Sequence, residues 1–308
     1  MSDTTLSGSL AEIESLRDWV VLLKPRVVSL VVITGLIGLF IAPGHLHPIL
    51  AAIAIVCIAV GAGAAGAINM SWEREIDGLM RRTRSRPIPA GRIDADAAMA
   101  FGVTLAIGSV LVMALATNLV AAAVLALSIA FYVFVYTLWL KRRTPANIVI
   151  GGAAGAFPPL IGWAAVTGGL GLMPMILFGI IFLWTPPHFW SLSLYADVDY
   201  ARAGIPMLPV VAGARVTKQR IAIYTVALVS CSLAPWFVGL AGPVYGVAAT
   251  VLGGAYITVV GRVYAEPVDA DGRSLAGNAP ARAAFRFSLY YLAVLFGALA
   301  IDQLFPLP

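Results

Sequence analysis

The chain has 308 residues, of which 60% are hydrophobic and 11% are charged, and its formal net charge is +5. A soluble domain carries roughly 25% charged residues, so this composition excludes an ordinary soluble domain and indicates a polytopic membrane protein. Because lipid offers backbone groups no hydrogen-bond partners, the long apolar runs must form helices. Two cysteines, both inside apolar runs, indicate buried apolar residues and not a disulfide or metal pair.

About nine apolar runs reach the ~20 residues that a helix needs to cross a bilayer. We therefore predict an all-α polytopic membrane protein, with about nine transmembrane helices in a bundle around a cavity open toward the cytoplasmic side. Residues 1–23 are expected to form a cytoplasmic N-terminal segment and residues 24–308 a single transmembrane domain. Acidic cytoplasmic loops are expected at about 69–96 and 194–220. The predicted spans are 27–43, 48–68, 97–116, 119–140, 147–166, 171–193, 221–240, 243–261 and 287–304.

All 20 Lys and Arg residues fall on one side of these spans, whereas the opposite loops, such as "PGHLH" and "TGGLG", carry none. By the positive-inside rule the basic side is cytoplasmic, so the basic balance reflects topology and argues against a nucleic-acid partner. The acidic N-terminal segment, with Glu12, Glu14 and Asp18, fits neither a signal peptide nor a mitochondrial transit peptide. We expect a multi-pass protein of a bacterial inner membrane, with a cytoplasmic N-terminus and a periplasmic C-terminus.

The stretch "NMSWEREIDGLMRRTRSRP" follows the second apolar run. Asn69, Glu73 and Asp77 are spaced i, i+4 and i+8, which places three oxygen-bearing side chains on one stripe of a helix. Like charges at this spacing repel by roughly 0.2–0.5 kcal/mol, so a positive group should offset them. Mg²⁺ prefers oxygen ligands and bridges carboxylates to phosphates, and the arginines that follow suit a diphosphate. The alternative is a solvated helix end whose basic residues only set the topology.

A second acidic loop, with Asp197 and Asp199, follows the sixth predicted span on the same side and suggests two similar halves facing a shared cavity. His188 lies within that span, in "WTPPHFW", where it is either a hydrogen-bonded interior residue or an axial haem ligand or substrate contact. No Lys, Arg, Asp or Glu lies in the middle of a predicted span, and Asp302 is the one acid near the far side. Transporters usually place ionisable groups at mid-membrane, so this pattern argues against one.

From Lys24 to Asp302 the chain resembles the UbiA-type intramembrane prenyltransferases, and within them the haem-modifying branch. The first of four matching stretches, "NMSWEREIDGLMRRTRSRPIPAGRI", resembles the superfamily signature. Two others look like the haem-modifying branch and unlike quinone and chlorophyll prenyltransferases: "YTLWLKRRTPANIVIGGAAGAFPPLIGW" and "WTPPHFWSLSLYADVDYARAGIPMLPVVAG". The fourth is "FRFSLYYLAVLF".

The resemblance implies a nine-helix bundle with a lipid-open cavity and a Mg²⁺-dependent reaction. A farnesyl group would pass from farnesyl diphosphate to a vinyl group of haem B, giving haem O and diphosphate for haem A and terminal oxidase biogenesis. Haem A synthase or oxidase assembly proteins would be its protein partners. Three alternatives stay open: a prenyltransferase acting on a quinone or chlorophyll precursor, a membrane lipid or metabolite transporter, and a structural membrane subunit.

The resemblance also implies roles for individual residues. Glu73 stands where the N-x-x-x-D-x-x-x-D pattern has Asp, whereas Asn69 and Asp77 match that pattern. Asp199 matches the acidic "DDY" motif, although Val198 replaces its acidic neighbour. The residues implied for Mg²⁺ binding and catalysis are Asn69, Glu73, Asp77 and Asp199; those for diphosphate are Arg82, Arg86, Lys141 and Arg142; and His188, which matches "PPHFW", is the hypothesis for haem contact.

Overall fold

The computed structural model describes residues 16–267 and 274–305, and every regular element in those ranges is helical. Eight described helical stretches are long and apolar enough to cross a membrane, with α6 and its π-helical continuation counted as one stretch and α7 and α8 as another. A ninth span results if the bent pair α1–α2 counts as one. The all-α class and the approximate number of spans are therefore confirmed. The helices are α1 (Leu16–Leu22), α2 (Pro25–Phe40), α3 (Pro48–Trp72), α4 (Arg74–Leu79), α5 (Ala95–Ala116), α6 (Leu119–Ala130) with a π-helical continuation (Phe131–Leu140), α7 (Asn147–Ala156), α8 (Pro158–Thr167), α9 (Leu172–Ser193), α10 (Asp197–Arg202), α11 (Leu208–Phe237), α12 (Pro243–Ala265) and α13 (Ala279–Leu304).

Several helices extend beyond the predicted spans on the basic side. Helix α11 begins at Leu208 instead of residue 221, and Gly213, with φ of 78°, marks a kink in its first turns. Helix α13 begins at Ala279 instead of residue 287. Apolar runs mark only the part of a helix that suits lipid, whereas polar residues continue the helical hydrogen bonds outside it. Part of the predicted loop 194–220 is therefore helical.

The crossing of α2 and α8 depends on glycine. A Cβ on Gly38 would overlap the backbone of Pro159, and a Cβ on Gly162 would overlap the carbonyl of Gly35. Without a hydrophobic driving force between helices, membrane helices associate through such close contacts of small residues. This crossing joins the first span to the middle of the chain.

The short helices α4 and α10 pack against each other through apolar side chains. Ile76 of α4 and Met80, which follows it, share one buried cluster with Tyr200 of α10 and Ala203, which follows that helix. Because α4 follows α3 and α10 follows α9, this cluster places the two acidic segments side by side. The fold thus joins two regions more than a hundred residues apart in the chain.

Candidate active site

The three predicted oxygen-bearing residues lie on one stripe across the junction of α3 and α4. Glu73 sits between the two helices, and its backbone N–H donates to the carbonyl of Asn69 at 3.0 Å. The N–H of Asp77 donates to the carbonyl of Glu73 at 2.9 Å. Helical spacing therefore continues across the break, and all three residues are at most 3% exposed. They form what we call the acidic stripe: Asn69, Glu73 and Asp77.

Protein side chains provide positive charge beside the acidic stripe. Arg86 Nη1 donates to Asp77 Oδ2 at 2.6 Å, and Thr83 Oγ1 donates to the backbone carbonyl of Asp77 at 2.8 Å. Lys141 forms an ion pair with Glu73. Two of the four cations predicted for diphosphate therefore contact the predicted metal ligands directly.

Lys24 is a site residue that the sequence analysis missed. Its Nζ donates to Asn69 Oδ1 at 3.1 Å. Lys24 lies between α1 and α2 with φ of 52°, a left-handed conformation that non-glycine residues seldom adopt. Strained backbone is concentrated at functional sites, where the surrounding structure holds it in place. The available signal was the Lys-Pro pair at the entry to the first span, which we interpreted only as topology.

The π-helical segment orients the amide of Asn69. Asn69 Nδ2 donates to Thr137 Oγ1 at 3.2 Å, and Thr137 Oγ1 in turn donates to the carbonyl of Tyr132, five residues earlier, at 2.9 Å. This directs Asn69 Oδ1 toward Lys24 and away from Thr137. π-Helical turns occur frequently at functional sites, and the apolar run "FYVFVYTLWL" contains no sequence pattern that announces one.

Two buried oxygens at the site have no hydrogen-bond partner in the described part of the chain: Glu73 Oε1 and Asn147 Oδ1. Asn147 Nδ2 donates to the backbone carbonyl of Lys141 at 2.9 Å, which fixes the amide orientation because a carbonyl can only accept. Buried polar atoms are normally satisfied, and unpartnered oxygens suit a hard cation such as Mg²⁺. Among described residues, no group of three or more His, Cys, Asp and Glu side chains is arranged as a metal site, so an amide oxygen would have to complete the set.

The remaining predicted residues lie outside this cluster. Arg82 and Arg142 are exposed, and within the described ranges neither makes a hydrogen bond or an ion pair. Asp199 is ion-paired with Arg202 of its own helix at 3.5 Å. The structure brings Asp199 near the acidic stripe through the packing of α4 on α10, without a direct contact between them among described side chains.

A cavity of about 840 Å³ opens beside α10. Its polar lining includes Asp197, Arg215, Lys218 and Glu266, and the last two form a buried ion pair at 3.1 Å. The acidic stripe does not line this cavity. The cavity nevertheless lies at the same basic end of the bundle as the second acidic segment.

His188 is buried and makes a hydrogen bond through one of its two ring nitrogens. It is 7% exposed, and its Nδ1 lies 2.6 Å from Ser288 Oγ of α13. The imidazole stacks on Trp184, at a centroid distance of 4.3 Å, and on Phe285, at 4.5 Å. Helix α9 continues through the two prolines that precede His188. Phe285 and Ser288 both belong to "FRFSLYYLAVLF", to which the sequence analysis gave no chemical role.

The chain matches the profile of the UbiA prenyltransferase family over residues 31–290. It is 62% identical over 303 residues to a protoheme IX farnesyltransferase of Granulibacter bethesdensis, covering 98% of this chain and 96% of that relative. Among solved structures, a digeranylgeranylglyceryl phosphate synthase superposes with a TM-score of 0.76 at 18% identity, covering 94% of this chain and 99% of that one.

A UbiA homologue from Archaeoglobus fulgidus, bound to GPP and Mg²⁺, superposes with a TM-score of 0.62 at 14% identity, covering 92% of this chain and 99% of that one. At such low identities the superpositions show a shared fold. The profile match and the long, highly identical relative confirm the resemblance seen in the sequence motifs. The chain belongs to the UbiA prenyltransferase family.

Proposed function

We propose that this prenyltransferase moves a farnesyl group from farnesyl diphosphate to a vinyl group of haem B, giving haem O and diphosphate. The observation that carries the proposal is the high identity to a protoheme IX farnesyltransferase over nearly the whole chain. The acidic stripe with its cations suits the diphosphate end of the reaction, and His188 suits the haem end.

For the metal, we propose that the acidic stripe, with Asp199 from the second acidic segment, holds Mg²⁺. The unpartnered Glu73 Oε1 supports this, since a buried carboxylate oxygen without a hydrogen-bond donor is a suitable ligand for a hard cation. When bound, Mg²⁺ neutralises charge on the departing diphosphate. Arg86 and Lys141 then exchange their carboxylate partners for diphosphate oxygens, with Lys24, Arg82 and Arg142 as further cations.

The reaction that these residues would support has three steps. The bond between farnesyl C1 and the diphosphate oxygen breaks, and the electron pair leaves with the diphosphate. The allylic cation forms a carbon–carbon bond with one vinyl carbon of haem B, which leaves the positive charge on the other vinyl carbon. Water adds there and loses a proton, completing a hydroxyethylfarnesyl group. Preorganised cations stabilise the leaving group, and apolar helix faces exclude water until the carbon–carbon bond has formed.

His188 is proposed to contact the acceptor haem, because an imidazole is a common axial haem ligand and this one lies on a helix adjoining α10. The variant His188→Ala should bind haem B more weakly and turn over more slowly. Unchanged haem affinity together with unchanged turnover would refute this role.

The proposed reaction is tested by mass spectrometry on purified protein incubated with haem B, farnesyl diphosphate and Mg²⁺, with EDTA as the control. We expect a Mg²⁺-dependent product with the mass of haem O. If folded protein releases diphosphate only with a quinone or chlorophyll precursor, the acceptor is wrong. If no acceptor causes diphosphate release, the transporter alternative replaces the enzyme.

We also propose the membrane and orientation predicted from the sequence: a bacterial inner membrane, with a cytoplasmic N-terminus and a periplasmic C-terminus. The support is that Lys and Arg gather at one end of the spans. A C-terminal alkaline phosphatase fusion should be active in a bacterial host, and a C-terminal green fluorescent protein fusion should be dark. The reverse result would overturn the orientation. Haem A synthase or an oxidase assembly protein as a partner stays a prediction.

A further inference from the structure

We propose that Ser288 is a positioning residue that holds His188 in the tautomer with its proton on Nδ1, so that Nε2 presents a lone pair to the iron of the acceptor haem. This inference rests on the proposed function, in which haem B is the acceptor. Ser288 lies on α13 and His188 on α9, so the contact joins two spans that are a hundred residues apart.

The tautomer follows from counting protons at Ser288. Its Oγ lies 2.6 Å from His188 Nδ1 and also 2.6 Å from the backbone carbonyl of Phe285. A carbonyl oxygen can only accept, so the single hydroxyl proton of Ser288 points to Phe285. The hydroxyl oxygen is then the acceptor toward His188, and Nδ1 must carry the proton. In the neutral ring Nε2 is left with its lone pair.

Two aromatic side chains fix the plane of the His188 imidazole. Trp184 and Phe285 both stack on the imidazole, with interplanar angles of 17° and 24°. The indole Nε1 of Trp184 donates to the backbone carbonyl of Ser288 at 2.7 Å, which holds the Trp184 ring in place. Ser288 therefore restrains the rotation of His188 and also the stacking partner that limits its tilt. Histidines that bind metals generally have such a partner on the second nitrogen.

The opposite ring nitrogen is the observation that points to a ligand. Nε2 has no hydrogen-bond partner in the described part of the chain. His188 is only 7% exposed, so this unpaired nitrogen belongs to a buried side chain. A histidine held only for packing would gain by pairing both nitrogens, since an unpaired buried nitrogen is costly. An oriented nitrogen with a free lone pair is what a haem iron requires of its ligand.

The direct test is ¹⁵N NMR of the protein with labelled histidine. The chain has only three histidines, so the spectrum of His188→Ala identifies the His188 signals by difference. We expect the Nδ1-protonated form without haem in the wild type. Ring shifts that show a proton on Nε2 would overturn the inference, whatever happens to any Ser288 variant.

The second test measures binding of ferric haem B by absorption and electron paramagnetic resonance. The wild type should show a histidine-ligated signature that His188→Ala lacks. Ser288→Ala should weaken haem affinity by roughly 10–100-fold and reduce that signature, as loss of an outer hydrogen bond to a ligating histidine generally does. Ser288→Thr, which keeps the hydroxyl, should restore both.

The matched control is Ser232→Ala. It removes another fully buried hydroxyl, which accepts from Tyr291 at 2.8 Å and does not contact His188. Its haem signature should equal that of the wild type. A wild-type signature in Ser288→Ala, or its absence from the wild type itself, would overturn the inference. Failure of the proposed function would give a different result: the protein would still show the histidine-ligated haem signature but would form no farnesylated haem.

Discussion

Lys141, which follows the π-helical segment, forms an ion pair with Glu73 at the junction of α3 and α4. The Lys141 N–H donates to the carbonyl of Tyr136, five residues earlier, so the π-helical register continues into the residue that provides the charge. The Glu73 side chain is 1% exposed, and its second carboxylate oxygen has no partner among described residues. Lys141 thus pairs with one oxygen of a buried carboxylate whose other oxygen has no hydrogen-bond partner among described residues. Such an oxygen is expected in a site that binds a cation.

The variant Lys141→Met should lower the free energy of unfolding by about 3–5 kcal/mol, because it leaves the Glu73 carboxylate buried and unpaired. The double variant Lys141→Met/Glu73→Gln should recover most of that stability, since no buried charge remains. Both proteins should have little transferase activity. Chemical unfolding in detergent, combined with the haem farnesylation assay, measures the two effects separately. Equal stability losses in the single and double variants would contradict this account of the pair.

Asp77→Asn should abolish Mg²⁺-dependent turnover, with a loss of at least ~100-fold, because an amide lacks the charge that holds a divalent cation beside a diphosphate. The protein should stay folded. Glu75→Gln is the matched control, since Glu75 is an exposed acid on the same short helix and should be dispensable. Turnover is measured across a Mg²⁺ titration. Full activity of Asp77→Asn would refute the role of Asp77 in metal binding.

Lys24→Met should reduce farnesyl transfer by about 100-fold, because its amine contacts Asn69 Oδ1 and adds positive charge where the diphosphate is expected. Lys24→Arg should retain part of the activity. Arg26→Met is the control, because Arg26 is an exposed cation two residues away whose side chain makes no contact with the acidic stripe among described residues. Equal activities of Lys24→Met and Arg26→Met would show that Lys24 serves only topology.

Asp302 has a structural explanation, although it was the one acid near the far side. Its carboxylate accepts from the backbone N–H of Gly242 and from that of Tyr245, the latter at 3.2 Å, and so caps the N-terminus of α12. Asp302→Ala should cost about 1–2 kcal/mol of stability, as loss of a helix cap generally does. Asp302→Asn, which keeps an acceptor, should cost less. Thermal unfolding measures this, and a large loss of turnover in folded Asp302→Ala protein would contradict a purely structural role.

The acidic stripe and His188 show which site features a local sequence pattern can predict. The spacing of Asn69, Glu73 and Asp77 predicted their common stripe because i, i+4 periodicity depends only on helix geometry. The "PPHFW" motif singled out His188 but did not reveal Ser288, because a partner on another span carries no periodic signal.

The sequence by itself determined the membrane class and the approximate spans, and it predicted the grouping of the cations at one end, because lipid length and charge asymmetry are properties of local composition. Only the tertiary structure decided which cation contacts which residue of the acidic stripe. Lys24, Arg86 and Lys141 reach the acidic stripe from three different parts of the chain. These contacts depend on the helix crossings, the π-helical segment and the strained backbone at Lys24. All three are set by side-chain packing across the whole bundle, which no local sequence pattern specifies.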